Sequence, residues 1–376
     1  MAVVLAEDAA LVNWAYTHWA FTYDFGFVKR GLAGEVLSWF IEPKSLFPVV
    51  RNVSLFSSVL VSAGLALHFW RPFLRQGGSG RLAYAVLATT SAASLPHFFY
   101  DTGRFDHLGL LLVMLCFASV ESGRVTAMTL LALCSLGIVL HEAFVVLYVP
   151  MIMTYWAYSG TDSMRLRVTQ ALVVLLLAGV AVFVVLQGRP LISYPELVQH
   201  LRDRHGSWID EGSVTVLYAG LKKGMGRSLG MLMSSRRLVQ HLVLGVFLLP
   251  MCILAVRVAR CDEVVATWAT TKGRMAILML AAALAPLCMY VVGVDFARWW
   301  ALAITNVFLV VAQLMVRSGP LSRAVDDVLK KHRLLMWSIL VLSVVSGPMG
   351  VAASPFPRLE PLLRSMLITL AHSIRG

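Results

Sequence analysis

Four short stretches set ionisable side chains among aromatics in an otherwise apolar chain. "YDFGFVKRGLAGE" (Tyr23–Glu35) holds Asp24, Lys29, Arg30 and Glu35. "YDTGRFDH" (Tyr100–His107) holds Asp101, Arg104, Asp106 and His107. His141 and Glu142 are adjacent, and "DFARWW" (Asp295–Trp300) holds Asp295 and Arg298. A carboxylate at a membrane surface can act as a general base or ligate a divalent cation. An arginine forks onto phosphate or pyrophosphate oxygens. Asp24, Asp101, Asp106, His141 and Glu142 are therefore the candidate catalytic residues. Lys29, Arg30, Arg104, His107, Asp295 and Arg298 are the candidate substrate-binding residues. A divalent cation is left open as a cofactor.

Each stretch also has a purely structural reading. Asp24 could pair with Lys29 and Arg30 at the interface, with the cations snorkelling. Asp101 could cap a turn in which Gly103 permits the bend and Arg104 pairs with Asp106. His141 and Glu142 could simply end two hairpin helices. Asp295 and Arg298 could form a local i,i+3 pair beside the interfacial anchors Trp299 and Trp300. The functional reading is a joint one: all four stretches are expected on one membrane face, whose opposite carries mainly cations.

The elements that must position them are membrane helices. Of the 376 residues, 59% are hydrophobic and 14% charged, against about 25% charged in a soluble domain. Mean hydropathy is +0.77. The net charge of +12 comes from 32 Lys+Arg against 20 Asp+Glu, a balance common in membrane proteins whose cytoplasmic loops collect cations. No nucleic-acid motif is present. Four of the five cysteines (Cys116, Cys134, Cys252, Cys288) sit in apolar runs and Cys261 lies beside one. They read as small buried hydrophobes. The opening "MAVVLAEDAALVNW" lacks a basic leader and reads as no cleavable signal peptide.

Apolar runs long enough for membrane helices fall at about 52–71, 82–100, 107–120, 126–140, 143–158, 168–187, 241–256, 275–294, 301–317 and 334–352. The three between 107 and 158 are short and read as tight hairpins or partly re-entrant helices. Alternate linkers carry the cations: 71–81 has Arg71, Arg75 and Arg81, 121–125 has Arg124, 159–167 has Arg165 and Arg167, 257–274 has Arg257, Arg260, Lys272 and Arg274, and 317–333 has Arg317, Arg323, Lys330, Lys331 and Arg333. By the positive-inside rule they are cytoplasmic, which puts all four ionisable stretches outside. Residues 9–22 either cross, giving eleven helices, or lie in the outer interface, giving ten.

The expected fold is all-α: one polytopic transmembrane helix bundle of about 10–11 membrane helices, with interfacial amphipathic helices on the outer face. Residues 1–51 form an outer-face N-terminal segment, 52–187 and 241–352 carry the helices, 188–240 form an outer amphipathic loop and 353–376 an interfacial tail. The loop suits helices lying on the membrane surface. Lys222, Lys223, Arg227, Arg236 and Arg237 make it basic, which points to an anionic partner.

With an acid in its first outer loop, acids and arginines in later outer turns and amphipathic helices in a long outer loop, the chain resembles the polytopic GT-C-type glycosyltransferases. It is also similar to polymerases of bacterial surface polysaccharides. The strings "YDFGFVKRGLAG", "DTGRFDH" and "DFARWW" look like those of membrane proteins from polysaccharide clusters. The resemblance implies a polyprenyl-phosphate- or pyrophosphate-linked sugar as partner, a bacterial inner-membrane location and catalysis by the first-loop acid, Asp24. It departs from many such enzymes in its short N-terminus and in having no soluble C-terminal domain. The main rival reading is a lipid-linked saccharide flippase or transporter. An acyltransferase using His141 ranks lower, because neighbours on a helix point about 100° apart. A non-catalytic membrane subunit is the remaining alternative.

Overall fold

The computed structural model describes residues 11–350 except 124–126 and 161–162, together with Phe356 and Ser365. The tail expected at 353–376 thus lies almost wholly outside the described residues, as do the first ten positions. Every described element is helical. In chain order they are α1 (Asn13–Trp19), α2 (Gly31–Ser38), α3 (Leu46–Gln76), α4 (Ser79–Thr90), α5 (Leu95–Tyr100), α6 (Phe105–Glu121), α7 (Ala127–Leu140), α8 (Phe144–Leu147), α9 (Val149–Ser159) and α10 (Met164–Gln187). There follow α11 (Tyr194–His205), α12 (Glu211–Tyr218), α13 (Leu221–Leu232), α14 (Ser235–Ala259), α15 (Asp262–Trp268), α16 (Thr271–Ala283), α17 (Phe296–Arg317), α18 (Gly319–Lys331) and α19 (Arg333–Ser346).

Among the described residues, each apolar run in the sequence falls largely on helix. Five stretches are both long and apolar enough to cross a membrane: Pro43–Gln76, Met164–Gln187, Gln240–Ala259, Thr271–Val291 and Phe296–Arg317. Shorter apolar helices occupy Ala127–Leu140, Phe144–Ser159 and Arg333–Ser346. The run at 82–100 breaks after Thr90 and restarts at Leu95; Pro96 lacks the N–H that an uninterrupted helix would need there. The protein is an all-α membrane protein.

The chain divides into two compact units, Met1–Gly64 with Asp101–Lys223 and Leu65–Tyr100 with Gly224–Gly376. In the first unit, α1 is the helix described within residues 9–22. Seven residues make a helix of about 10 Å, far short of the roughly 30 Å a crossing needs. Its side chains enter a core instead: Ala15, Tyr16 and Trp19 pack with Leu197, Val198 and Leu201 of α11, with Ile209, and with Val214 and Leu217 of α12. Asp210 N–H donates to Thr17 Oγ1 (2.8 Å) and the Ser213 hydroxyl to Trp14 O (3.0 Å). The buried apolar side chains of α11 and α12 are therefore covered by the N-terminal segment. A capping box at Ser193 and Glu196 starts α11, which satisfies orphan N–H groups at its first turn. Among the large apolar side chains left bare in this unit are Trp39, Phe40 and Leu191, 67%, 79% and 84% exposed.

In the second unit, α17 is the central helix. Its apolar window is 78% buried, against 17% for the window of Thr271–Val291. Thr305 donates to Ala93 O (2.7 Å), and Gln313 meets His68 Nδ1 (2.9 Å) inside α3. On the exposed faces of peripheral helices the apolar side chains point outward, as lipid requires. Cys252 and Cys288 are exposed for this reason, which corrects the expectation that every cysteine is buried; Cys116 and Cys134 are.

Candidate functional site

The opening stretch folds by close backbone approach. A Cβ on Gly34 would stand 2.1 Å from Phe21 O, and one on Gly31 2.8 Å from the Tyr23 ring. The turn that feeds α2 places Arg30 at φ +67°, which makes it the one non-glycine residue with positive φ among the described residues. That conformation costs an L-residue about 1–2 kcal/mol. Such strain persists where its surroundings over-determine it, often at functional sites.

The surroundings of Arg30 do this. Its Nε donates to Glu142 Oε2 (2.9 Å), its Nη2 to Glu142 Oε1 (2.5 Å), and its Nη1 lies 3.2 Å from His18 Nε2. The two side chains of the ion pair are 10% and 18% exposed. Glu142 sits in the break between α7 and α8. Beside it, His141 Nδ1 accepts from Ala143 N–H (3.1 Å) and lies 3.7 Å from Glu142 Oε2.

The "YDTGRFDH" turn joins the same centre. Trp19 Nε1 donates to Gly103 O (2.7 Å). Gly103 is at φ +93°, and a Cβ there would lie 2.3 Å from Leu11. Arg104 Nε donates to Asp101 Oδ1 (2.9 Å), and its guanidinium lies 4.2 Å over the Trp14 ring. His107 Nδ1 donates to Arg104 O (3.0 Å). Trp14 meets His18 edge-on at 4.2 Å, and the Phe105 ring stands 6.3 Å from His18 and 6.5 Å from His141. A narrow cleft beside them is lined by Phe105, Asp106, His141 and Tyr148, with Gly109 and Gly137 making room.

Charge states follow from this packing. Burial would raise the Glu142 carboxyl, but the positive field of Arg30, with His141 and Lys29 adding, outweighs it and holds the group well below the usual carboxylate range. Burial lowers His18 far below the usual imidazole value, and Arg30, Arg104 and His141 push it the same way against Glu142. Lys29 is lowered by burial, with Glu142 opposing. The centre therefore contains an ionised acid, buried arginines and a neutral histidine.

Several expected pairings are corrected. Asp24 pairs with Arg204 of α11, not with Lys29 or Arg30, and lies 3.9 Å from His200. Arg30 is drawn away by Glu142, and the carboxyl of Asp24 stays 44% exposed. Glu35 accepts from Tyr23 N–H (2.8 Å) and Trp39 Nε1 (3.1 Å). Arg104 pairs with Asp101 three positions earlier in the turn, and Asp106 lies in the first turn of α6. Asp295 and Arg298 belong to the second unit and form the local pair (3.3 Å), with Arg298 over the Trp299 ring at 4.6 Å. Each arginine expected to bind phosphate thus carries a carboxylate from its own chain. No cluster of three or more His, Cys, Asp or Glu able to hold a metal occurs among the described residues.

Sequence reasoning passed over His18 and Trp14, which lie in a run that reads only as aromatic and apolar. A histidine four residues from a tryptophan in such a run was the available signal. No protein family, curated sequence or solved structure matches this chain.

Proposed function

We propose that this membrane protein is a glycosyltransferase or polysaccharide polymerase using a polyprenyl-phosphate-linked sugar at the outer face of a bacterial inner membrane. The observation that supports this reading is the convergence of Arg30, Glu142, Arg104, Asp101 and His18 from three distant chain segments on one buried ionic centre. Charge is expensive to bury in a membrane protein and is retained there for function. Guanidinium forks that hold carboxylates are built to hold phosphate oxygens in the same geometry. Entry of the carrier phosphate would exchange with Glu142 or Asp101.

Glu142 and Asp101 are committed to buried arginines, whereas Asp24, paired with Arg204, is 44% exposed. In the transfer step the acceptor hydroxyl gives its proton to the Asp24 carboxylate as its oxygen bonds to the anomeric carbon. The bond from that carbon to the carrier phosphate breaks, and the phosphate leaves with the electron pair, held by an arginine fork.

The test is turnover in nanodiscs with a panel of polyprenyl-phosphate-linked sugars. Release of carrier phosphate together with a new glycosidic bond is expected. Transbilayer movement of the lipid with its sugar intact would instead establish the flippase reading.

A further inference from the structure

The Arg30 guanidinium is a donor on every edge, with no acceptor of its own. Its Nη1 nevertheless lies 3.2 Å from His18 Nε2, so a favourable contact requires a bare lone pair on that nitrogen. The imidazole must then be neutral, with its hydrogen on Nδ1. A protonated His18 would aim an N–H at an N–H and place two cations side by side in a buried site.

We infer that His18 is a positioning residue: a permanently neutral, Nδ1–H imidazole that holds the third nitrogen of Arg30 while Glu142 holds the other two. It concerns the same centre as the proposed function but stands on these hydrogen bonds, so it can fail separately from the choice of substrate. The charged and titratable groups that act on His18 are Arg30, Arg104, His141 and Glu142; the first three disfavour its cation and only Glu142 favours it. The rings of Trp14, Phe21 and Phe105 pack around it. His18 is 5% exposed. The consequence for the site is specific. When an anion displaces Glu142 from the fork, His18 still holds Nη1, and the guanidinium stays aimed. The left-handed backbone of Arg30 is then kept in place from the side-chain end.

The decisive measurement is the imidazole nitrogen spectrum of 15N-histidine-labelled full-length protein in detergent micelles. The His18 signal is assigned by its loss in His18→Gln, or by through-bond correlation in the wild type if that variant does not fold. The expected spectrum shows a protonated Nδ1 and an unprotonated Nε2, unchanged from pH 8 to pH 5. A cationic ring, or the Nε2–H tautomer at pH 7, overturns the inference. A second readout uses variants. Gln can place an acceptor oxygen near the Nε2 position, so His18→Gln should bind a polyprenyl-phosphate probe within about threefold of wild type. His18→Leu removes the acceptor and should weaken that binding at least tenfold. The same weakening in both variants would reduce His18 to a packing role and also overturn the proposal.

Discussion

The buried ion centre of the first unit and the charged network of the second use the same residue types to different ends. In the second unit Asp326 accepts from Arg81 N–H (3.0 Å) at the first turn of α4, and it also pairs with Lys330. Arg81 Nε donates to the Ser322 hydroxyl (2.8 Å), which donates to Gln76 Oε1 (2.7 Å). Here an acid meets an orphan helix N–H and the positive end of the dipole, where anions belong. Of its partners, the Lys330 side chain is 40% exposed and that of Arg81 12%. The network clamps two helices and leaves no backbone strained. In the buried centre of the first unit, Glu142 meets Arg30 across 112 positions of chain. The charges there sit around a strained residue and a desolvated histidine. An ion pair explained by helix ends is structural; one explained by no local rule points to function.

Breaking one partner should separate the two regions most sharply. Arg30→Ala strands Glu142 as a buried charge, and loss of one member of such a pair costs about 3–5 kcal/mol. Thermal unfolding in detergent should show the largest drop of any variant considered. Arg30→Lys keeps the charge but not the fork, so it should be milder in stability and still poor in carrier binding. If Arg30→Ala unfolds like wild type, the centre is not the buried cluster described.

The clamp in the second unit is tested at Gly80, where a Cβ would stand 2.1 Å from Asp326 O. Gly80→Ala must push α4 from α18 and should cost about 1–3 kcal/mol, with no change in carrier binding by the first unit. A loss of binding with unchanged stability would reverse the assignment of roles.

Acidification should soften the two regions in different windows. His18 is depressed in the folded state, and His205 is lowered to about 4 by burial. Unfolded chains bind these protons near pH 6.5, so the first unit loses stability as pH falls below about 6.5. Asp326 is held below its usual value because hydrogen bonds from Lys330 and Arg81 N–H outweigh its burial. Its contribution persists above an unfolded pKa of about 3.9 and is lost only as pH falls further. Hydrogen exchange at pH 5 should accelerate in α1 and α11 while α4 and α18 keep their pH 7 protection. Equal acceleration in both would remove the distinction.

The smallest stability effect is expected at Asp24. Its pair with Arg204 has side chains 44% and 33% exposed, and such pairs contribute about 0–1 kcal/mol. Asp24→Asn should melt within that range of wild type. If Asp24 is the base, turnover should nevertheless fall on the order of 10²-fold or more. A fully active variant would move the base to Asp101, Asp106, Glu142 or Asp295.

The helical membrane fold was legible in the sequence because apolar length is a local property. The apolar runs fell mainly on helices and the short runs between 107 and 158 marked where helices break, whereas the break ahead of Pro96 inside the run 82–100 was not read. The same locality identified Arg30, Asp101, Arg104, His141 and Glu142 as chemistry-bearing residues in apolar surroundings. Their pairing was not legible. Which acid meets Arg30 depends on a contact across 112 positions, and adjacency in the chain favoured Asp24, which the fold turns toward Arg204. The left-handed backbone at Arg30 also has no signature in its residue type, since only packing compels a non-glycine residue to adopt it. Likewise, amphipathic spacing in α11 and α12 determined that one face must be covered, but not by what. Bilayer and protein offer the same apolar environment, and only the tertiary structure decided for the N-terminal segment. Residue type determined which groups were present; burial and long-range contact decided their partners, and with them their charge.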